Sequence, residues 1–246
     1  MLNTLPLAID PALDPAPLRP IFERSGRLHI PGFLRPDDAG RVYHALAQET
    51  RWQRALRHGD TPYLLDPGAF ERLAPGERDR IGRAVLEQAA GGFGYAFDSW
   101  AMSDFIEAGQ RGGGPLEAVY DLLNSQPFLG FVRAMTGERR AVYVDGQATR
   151  YRPGDFLNHH NDDTDGPHRL FAYVLNLTPR WRVDWGGLLL FLDPDGHVAE
   201  GYTPAFNALN IFRVPADHAV SMVAPFAGAP RLSITGWVRS EGPGAR

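Results

Sequence analysis

Two periodicities of hydrophobic residues divide the chain near residue 140. Before that point, apolar residues recur every three or four positions, as on one face of an amphipathic helix. In the second such segment this face holds Ile81, Val85 and Leu86. The predicted helices cover residues 37–50, 77–90, 115–124 and 126–137, after a short apolar strand at 27–34.

Beyond residue 140 the pattern changes to short segments rich in Val, Leu, Ile, Phe and Tyr, separated by Pro, Gly and Asp. Six strands are predicted, at 141–152, 168–178, 187–192, 208–214, 218–224 and 231–239. Helices followed by a run of short strands favour an α+β fold with a mainly β core. We expect a double-stranded β-helix, or jelly roll, that the N-terminal helices cover on one side.

Residues 91–114, between the second and third helices, are rich in glycine and aromatic residues. Two interpretations stay open. The segment is a long surface loop, or it is a mobile lid, hinged at its glycines, whose aromatic side chains close over a site. Those side chains are Phe93, Tyr95, Phe97 and Trp100.

Composition limits the classes of protein. With 246 residues, 43% of them hydrophobic, the chain can bury a sizeable core. We expect a single domain over 1–246, with 1–140 as mainly helical support and 141–240 as the jelly-roll core. A net charge of −4 argues against nucleic acid or an anionic membrane as partner. An export signal and a membrane-spanning run are both lacking, so a cytoplasmic location is expected.

No cysteine is present, so a metal ion would be held by His, Asp and Glu. Side chains two positions apart in a strand point the same way, so a His-x-Asp pair can offer an imidazole and a carboxylate to one ion. With 8 His and 19 Asp in 246 positions, chance alone gives about 0.6 such pairs. The chain has two, His58-Gly59-Asp60 and His160-Asn161-Asp162, so the bare pattern decides nothing.

Context separates the two pairs. His58 lies at the polar end of a segment that we interpret as helical, where a solvated histidine is expected. His160 follows a predicted strand, in GDFLNHHNDDTDG, and later strands can bring it a third ligand. His168 opens a strand and His197 lies in a turn, whereas His218 is the strongest candidate. Two imidazoles and one carboxylate would form the facial triad of a non-haem iron(II) site.

Arg231 opens the last predicted strand. It shares one strand face with Ser233 and Thr235, alternating with apolar Leu232 and Ile234. An arginine that points into a barrel requires an anion, and a guanidinium binds a carboxylate through two parallel hydrogen bonds. A dicarboxylate that chelates the metal at one end and reaches Arg231 at the other would fit.

Five sequence blocks occur in the order of a known family: Y-R-P-G-D-F-L-x-x-H-x-D, R-L-x-x-Y-V-L-N-L-T-P-x-W, W-G-G-x-L, H-x-V-x-x-V and R-L-S-I-T-G-W. They resemble the 2-oxoglutarate and iron(II)-dependent dioxygenases, and more narrowly their prolyl 4-hydroxylase-like branch. The resemblance covers about residues 141–240 and extends only loosely into the first half.

The resemblance implies that iron(II) is bound by His160, Asp162 and His218, and that Arg231 holds the distal carboxylate of 2-oxoglutarate. Further candidate contacts to this co-substrate are Tyr151, Asn176 and Ser233.

By alternation, His159 and Asp163 are expected to face away from their neighbours and from the metal. A β-bulge in this strand would shift the assignment by one residue.

The resemblance also implies a reaction. Iron(II), 2-oxoglutarate and O₂, supported by ascorbate, would hydroxylate an unactivated C–H bond, with a prolyl residue of a peptide or protein, or a free amino acid, as substrate. The carboxylate of Asp162 favours hydroxylation over halogenation, because related halogenases lack it. Two other classes stay open at this point: a jelly roll that binds metal or a dicarboxylate without turnover, as a sensor, and a cupin-like metalloenzyme.

Overall fold

The structure is a computed structural model that describes residues 6–163 and 168–243. The helices are α1 (Arg19–Ser25), α2 (Pro36–His44), α3 (Ala69–Arg72), α4 (Pro75–Gly91), α5 (Met102–Glu107), α6 (Pro115–Leu123) and α7 (Gln126–Thr136). The strands are β1 (Arg27–Pro31), β2 (Gln53–His58), β3 (Thr61–Leu65), β4 (Tyr95–Trp100), β5 (Tyr143–Val144), β6 (Gln147–Tyr151), β7 (Phe156–His160), β8 (Arg169–Asn176), β9 (Leu189–Leu192), β10 (Val198–Tyr202), β11 (Ala208–Arg213), β12 (His218–Val220) and β13 (Arg231–Arg239).

Antiparallel pairing joins these strands into a nearly closed barrel. Their order is β1-β11-β8-β13-β6-β4-β7-β12-β9-β10, with β2 and β3 extending from β4 and β5 lying beside β13. The two ends of this order approach each other, since Arg27 of β1 forms an ion pair with Glu200 of β10. The predicted mainly β core of jelly-roll type is confirmed.

The helices cover one face of the sheet, as predicted. On β13, Leu232 and Ile234 pack into the core shared with the helices, and Arg231 and Ser233 point to the opposite side, into the barrel. No helix in the described part of the chain is both long and apolar enough to cross a membrane.

Strand β4 joins the two halves of the barrel. Along one edge, residues 95–96 pair with β7 and residues 98–100 pair with β6, while its other edge pairs with β2. Between β6 and β7 the chain turns through Gly154, at φ +90°. A strand that pairs on both sides of this corner keeps the backbone groups hydrogen-bonded where the sheet bends.

This arrangement corrects the interpretation of residues 91–114. The prediction of a loop, whether a surface loop or a lid, is wrong for residues 95–100, which form β4, and for residues 102–107, which form α5. Phe97 is 8% exposed within the sheet. Trp100, predicted to close over a site, stacks on Phe105 at a centroid distance of 5.4 Å.

Two smaller predictions in the first half are also wrong. The segment around His58 is not helical but forms the β2–β3 hairpin, with Gly59 in the turn at φ +60°. His58 is exposed there, as expected. On α4, Val85 is buried but Leu86 is 47% exposed, so Leu86 does not belong to the buried face that was predicted.

Candidate metal centre

Two paired strands bring the candidate ligands together. His160 of β7 lies opposite His218 of β12, with ring centroids 4.1 Å apart. Asp162 follows two residues after His160, and its Oδ1 lies 3.5 Å from His160 Nε2 and its Oδ2 3.6 Å from His218 Nε2. One ligand atom from each of the three residues lies within 4.8 Å of the others.

A β-bulge in β7 decides which histidine joins this cluster. His218 pairs with His160 and Val220 pairs with Leu157, so β7 advances three residues where β12 advances two. Leu157 packs inside the barrel, and strict alternation from it would turn His159 inward. The bulge instead turns His160 inward and leaves His159 exposed, with its Nε2 2.9 Å from Asp217 Oδ1.

The side chain of Asn158 anchors the bulge. Its Nδ2 donates to the carbonyl oxygens of Ala89 and Gly92, at 3.3 and 2.7 Å, and its Oδ1 accepts from the Gly94 N–H at 2.8 Å. Its own carbonyl oxygen lies 3.0 Å from His160 Nδ1. Asn158 therefore connects the end of α4 to the backbone group that orients His160. The sequence pattern did not reveal this role of Asn158.

Both imidazoles are held in the tautomer that metal binding requires. His218 Nδ1 lies 2.7 Å from the Ala216 carbonyl oxygen, as His160 Nδ1 does from that of Asn158. Because a carbonyl only accepts, each Nδ1 carries the proton and each Nε2 keeps a free lone pair. Burial, and then the neighbouring His160, lowers the pKa of His218 to about 4, so this ring stays neutral near pH 7.

The carboxylate of Asp162 is positioned by the last strand. Trp237 Nε1 donates to Asp162 Oδ2 at 3.2 Å, and the Arg169 guanidinium lies 3.8 Å from the Trp237 ring centroid. Arg169 also donates to the Asp162 carbonyl at 3.4 Å. These contacts hold Asp162 at φ +63°, a conformation that side chains other than glycine seldom adopt. The alternation that places Arg231 inside the barrel also places Trp237 there, a signal that the sequence already contained.

The donor set fits a divalent iron-type metal. Two ligands at right angles, each about 2.1 Å from a metal, lie about 3 Å apart. The cluster, with 3.5 and 3.6 Å between its carboxylate oxygens and imidazole nitrogens, is close to that spacing. Small side-chain rotations would complete it.

Arg231 is buried without an anionic partner. The side chain is 1% exposed, its Nε has no hydrogen-bond partner, and one terminal nitrogen donates to Asn176 Oδ1 at 3.4 Å. Among the described residues, no carboxylate lies within ion-pair distance of it. Burial lowers the pKa of the guanidinium. A buried charge of this kind is costly unless an anion joins it.

The other candidate co-substrate contacts surround Arg231. The Tyr151 ring centroid lies 5.2 Å from the guanidinium carbon, on the paired strand β6. Asn176 is fully buried and also donates to the Ala208 carbonyl. Ser233 differs, because its hydroxyl is already bonded to Thr149 Oγ1 at 2.9 Å. Tyr151 and Asn176 are thus placed to meet a ligand of Arg231, and Ser233 less directly.

The W-G-G sequence makes room for the arginine. A Cβ on Gly186 would lie 2.1 Å from the Met222 carbonyl oxygen, and one on Gly187 would lie 3.3 Å from Arg231 Cδ. Both glycines also have positive φ. Side chains here would push β9 away from the site.

A row of aromatic rings connects the two ends of the site. Phe93 lies 5.6 Å from the His160 ring, and successive centroids of Phe93, Tyr95, Phe97 and Tyr151 are 5.9, 5.4 and 5.0 Å apart. Three of the aromatic residues predicted to cover a site therefore do line this one, Tyr95 and Phe97 from β4 and Phe93 from the segment just before it.

The remaining histidines considered as ligands lie elsewhere. His168 Nδ1 is 2.9 Å from Glu241 Oε1, and His197 is exposed in its turn. Asp163 is exposed and its N–H bonds to Asn161 Oδ1.

Comparison with known proteins agrees with this geometry. Residues 146–239 match the model of the 2OG-Fe(II) oxygenase superfamily. Over 119 residues, 46% of this chain, the sequence is 31% identical to prolyl 3-hydroxylase OGFOD1 of Mus musculus. The match covers only 21% of the length of that relative.

Two solved structures share the fold. A Pseudomonas putida prolyl-4-hydroxylase superposes with a TM-score of 0.58 at 17% identity, covering 96% of each chain. A Trichoplax adhaerens prolyl hydroxylase, in complex with a hypoxia inducible factor peptide fragment, gives 0.57 at 15% identity, covering 91% of this chain and 87% of that one. Residues 146–239 are therefore similar to the 2OG-Fe(II) oxygenase superfamily, and the chain shares the fold of prolyl hydroxylases.

Proposed function

We propose that the chain is a 2-oxoglutarate- and iron(II)-dependent dioxygenase that hydroxylates a C–H bond. The observation that carries this proposal is the combination, in one barrel, of a two-histidine, one-carboxylate cluster and a buried arginine without a carboxylate partner. A dicarboxylate satisfies both, because one end can chelate a metal while the other neutralises Arg231.

Each residue has a defined role in this proposal. His160 and His218 present Nε2 lone pairs, and Asp162 adds one negative charge, oriented by Trp237. Arg231 binds the distal carboxylate of 2-oxoglutarate.

The walls between these groups keep water out. Phe97 and Val220 are buried there, in a cluster that also includes Leu157. Bound iron(II) would supply the activation of O₂ that couples oxidative decarboxylation of 2-oxoglutarate to hydroxylation. The protein contributes binding, orientation and a dry cavity.

For the substrate, we propose a prolyl residue of a peptide or protein. The relative by sequence is named a prolyl 3-hydroxylase, and one structure of the same fold holds a peptide. Phe93, beside His160, is 37% exposed, so the candidate metal centre has a side that a peptide could approach. The ring carbon is left to experiment, because the names of the relatives include both 3- and 4-hydroxylases.

The test uses the purified chain with iron(II), 2-oxoglutarate, ascorbate and a panel of proline-containing peptides. We expect succinate and hydroxyproline in equal amounts, with neither formed when O₂ or 2-oxoglutarate is omitted. Amino-acid analysis of the product separates 3- from 4-hydroxyproline. The variant Asp162→Ala serves as the inactive control.

Two results would contradict the proposal. Succinate formation with a free amino acid, but with none of the peptides, would show that the substrate is a free amino acid rather than a peptide. Product formation that persists without O₂ and 2-oxoglutarate would replace the reaction class by that of a cupin-like metalloenzyme.

A further inference from the structure

A groove lies on the outer face of β6, on the other side of this strand from the candidate co-substrate site. It consists of two adjoining cavities of about 640 and 420 Å³, which share Arg150, Ala229 and Pro230 in their walls. Volumes of this size are typical of ligand sites. Tyr151 separates the two sites, because its side chain points inward while Arg150 and Arg152, on either side of it, point outward.

Arginines dominate the lining of this groove. Arg51, Arg150 and Arg152 line the larger cavity and Arg180 lines the smaller, whereas the acidic side chain among the lining residues is that of Glu71. Glu71 pairs with Arg152 and the buried Asp98 pairs with Arg150 and Arg152, so the excess positive charge of the groove comes from Arg51 and Arg180, in a chain whose net charge is −4. Such a local reversal of charge attracts anionic groups.

The arginines divide into two pairs by their contacts. Arg150 and Arg152 both bond to the buried Asp98, at 2.8 and 3.0 Å, which fixes them in the wall. Arg51 and Arg180 are exposed at the rim. Arg150 and Arg152 therefore form part of the groove wall. Arg51 and Arg180 can be substituted without disturbing a buried ion pair.

The groove also has limits. A third cavity of about 250 Å³ shares Arg51 and carries Glu49 and Glu117, so the positive lining ends there. An anionic ligand would occupy the side of Arg51 that faces Arg150.

We infer that this groove docks an acidic segment of a polypeptide. A nucleic acid fits less well, because the Trp52 ring that could stack on a base is covered by the Arg150 guanidinium, 5.1 Å from its centroid. Glu71 does not discriminate between the two ligands, because its Oε1 already pairs with Arg152 at 2.9 Å. The proline and alanine residues of the wall suit an extended peptide rather than a sugar-phosphate backbone. The inference rests on the proposed function only in assigning this polypeptide to the substrate.

The test measures fluorescence anisotropy of a labelled peptide of alternating Glu and Ala at low salt, with a chelator present and without 2-oxoglutarate. We expect saturable binding, weakened about tenfold or more when Gln replaces Glu in the peptide and by the double variant Arg51→Ala/Arg180→Ala. The control Arg24→Ala removes an exposed arginine of α1, outside the groove lining, and should bind like the wild type.

Three outcomes would overturn the inference: equal binding of the Gln peptide, equal loss in Arg24→Ala, or unchanged binding in the double variant. Tighter binding of an oligouridine probe that the double variant also weakens would assign the groove to nucleic acid instead. Because the binding assay uses neither metal nor co-substrate, it is independent of the turnover test. Peptide binding here, together with no succinate in the turnover test, would contradict the proposed function and leave the groove as a docking site.

Discussion

Strands β7 and β13 supply opposite ends of the candidate site. The directions of their side chains can be predicted from the sequence for β13 but not for β7. In β13 the alternation is regular, so Arg231 faces the barrel and Leu232 faces the helices. In β7 a bulge places Leu157 and His160, three residues apart, on the same side. A period of two predicts side-chain direction only where pairing is regular.

The contrast has a physical cause. The pairing partners of β13 are β6 and β8 in continuous register near Arg231, and its apolar residues bury against the helices. The bulge of β7 depends on Asn158, whose partners lie more than sixty residues earlier in the chain. The Arg231 end of the candidate site is thus fixed by a local pattern, and the His160 end by distant contacts.

The largest expected effect comes from replacing the two adjacent histidines of β7 by alanine, one at a time. His160→Ala should weaken Mn²⁺ binding by more than about 100-fold, beyond what changes around a ligand usually cause. His159→Ala should bind like the wild type, because its ring points to Asp217 at the surface. Titration followed by electron paramagnetic resonance measures both. Equal loss in the two variants would mean that the bulge is not present in solution.

At the opposite end, Arg231→Ala should weaken 2-oxoglutarate binding to the Mn²⁺-loaded protein. Loss of a charge-assisted pair costs about 1.5–3 kcal/mol, or roughly 10- to 150-fold in affinity. Arg231→Lys should recover part of it, since lysine keeps the charge but not the two-pronged geometry. Calorimetry measures the affinity, and Mn²⁺ binding alone is the internal control. An unchanged 2-oxoglutarate affinity would place the anion elsewhere.

A smaller effect tests the anchor of the bulge. Asn158→Ala leaves the Gly94 N–H and the Gly92 carbonyl without their partner, at a cost of about 1–3 kcal/mol in the free energy of unfolding. Mn²⁺ affinity should fall about tenfold, because the carbonyl that orients His160 loosens. Asn161→Ala, whose side chain bonds to the nearby Asp163 N–H, is the matched control. A loss of stability with unchanged metal affinity would show that other contacts hold the bulge.

The smallest effect concerns the regular strand. Trp237→Phe keeps a ring beneath Arg169 but removes the N–H that donates to Asp162, so Mn²⁺ affinity should fall by about tenfold or less. Trp185→Phe, in the short 3₁₀ helix before β9, should leave the Mn²⁺ affinity unchanged. A fall as large as that of His160→Ala would mean that Trp237 shapes the whole centre rather than one carboxylate.

The first half of the chain shows why part of the fold escaped prediction. Strand β4 carries Asp98, which is 2% exposed and would not be expected in a buried strand. Arginines distant in sequence neutralise it: Arg54, Arg150 and Arg152 all contact its carboxylate. Ion pairs between residues distant in sequence therefore permit a strand that local propensity disfavours. Strand β10, in a polar segment, escaped prediction as well.

By itself, the sequence determined the faces of the regular strands, the helical cover, the absence of thiolate ligands and the ordered motifs that carry the family resemblance. It placed Arg231 inside the barrel because alternation with apolar neighbours is a local property. The family resemblance already implied His160 rather than His159 as the ligand. Only the tertiary structure decided that β4 bridges the two halves of the barrel and that a bulge in β7 brings His160 opposite His218. These features depend on hydrogen bonds and ion pairs between distant residues, which no local pattern contains.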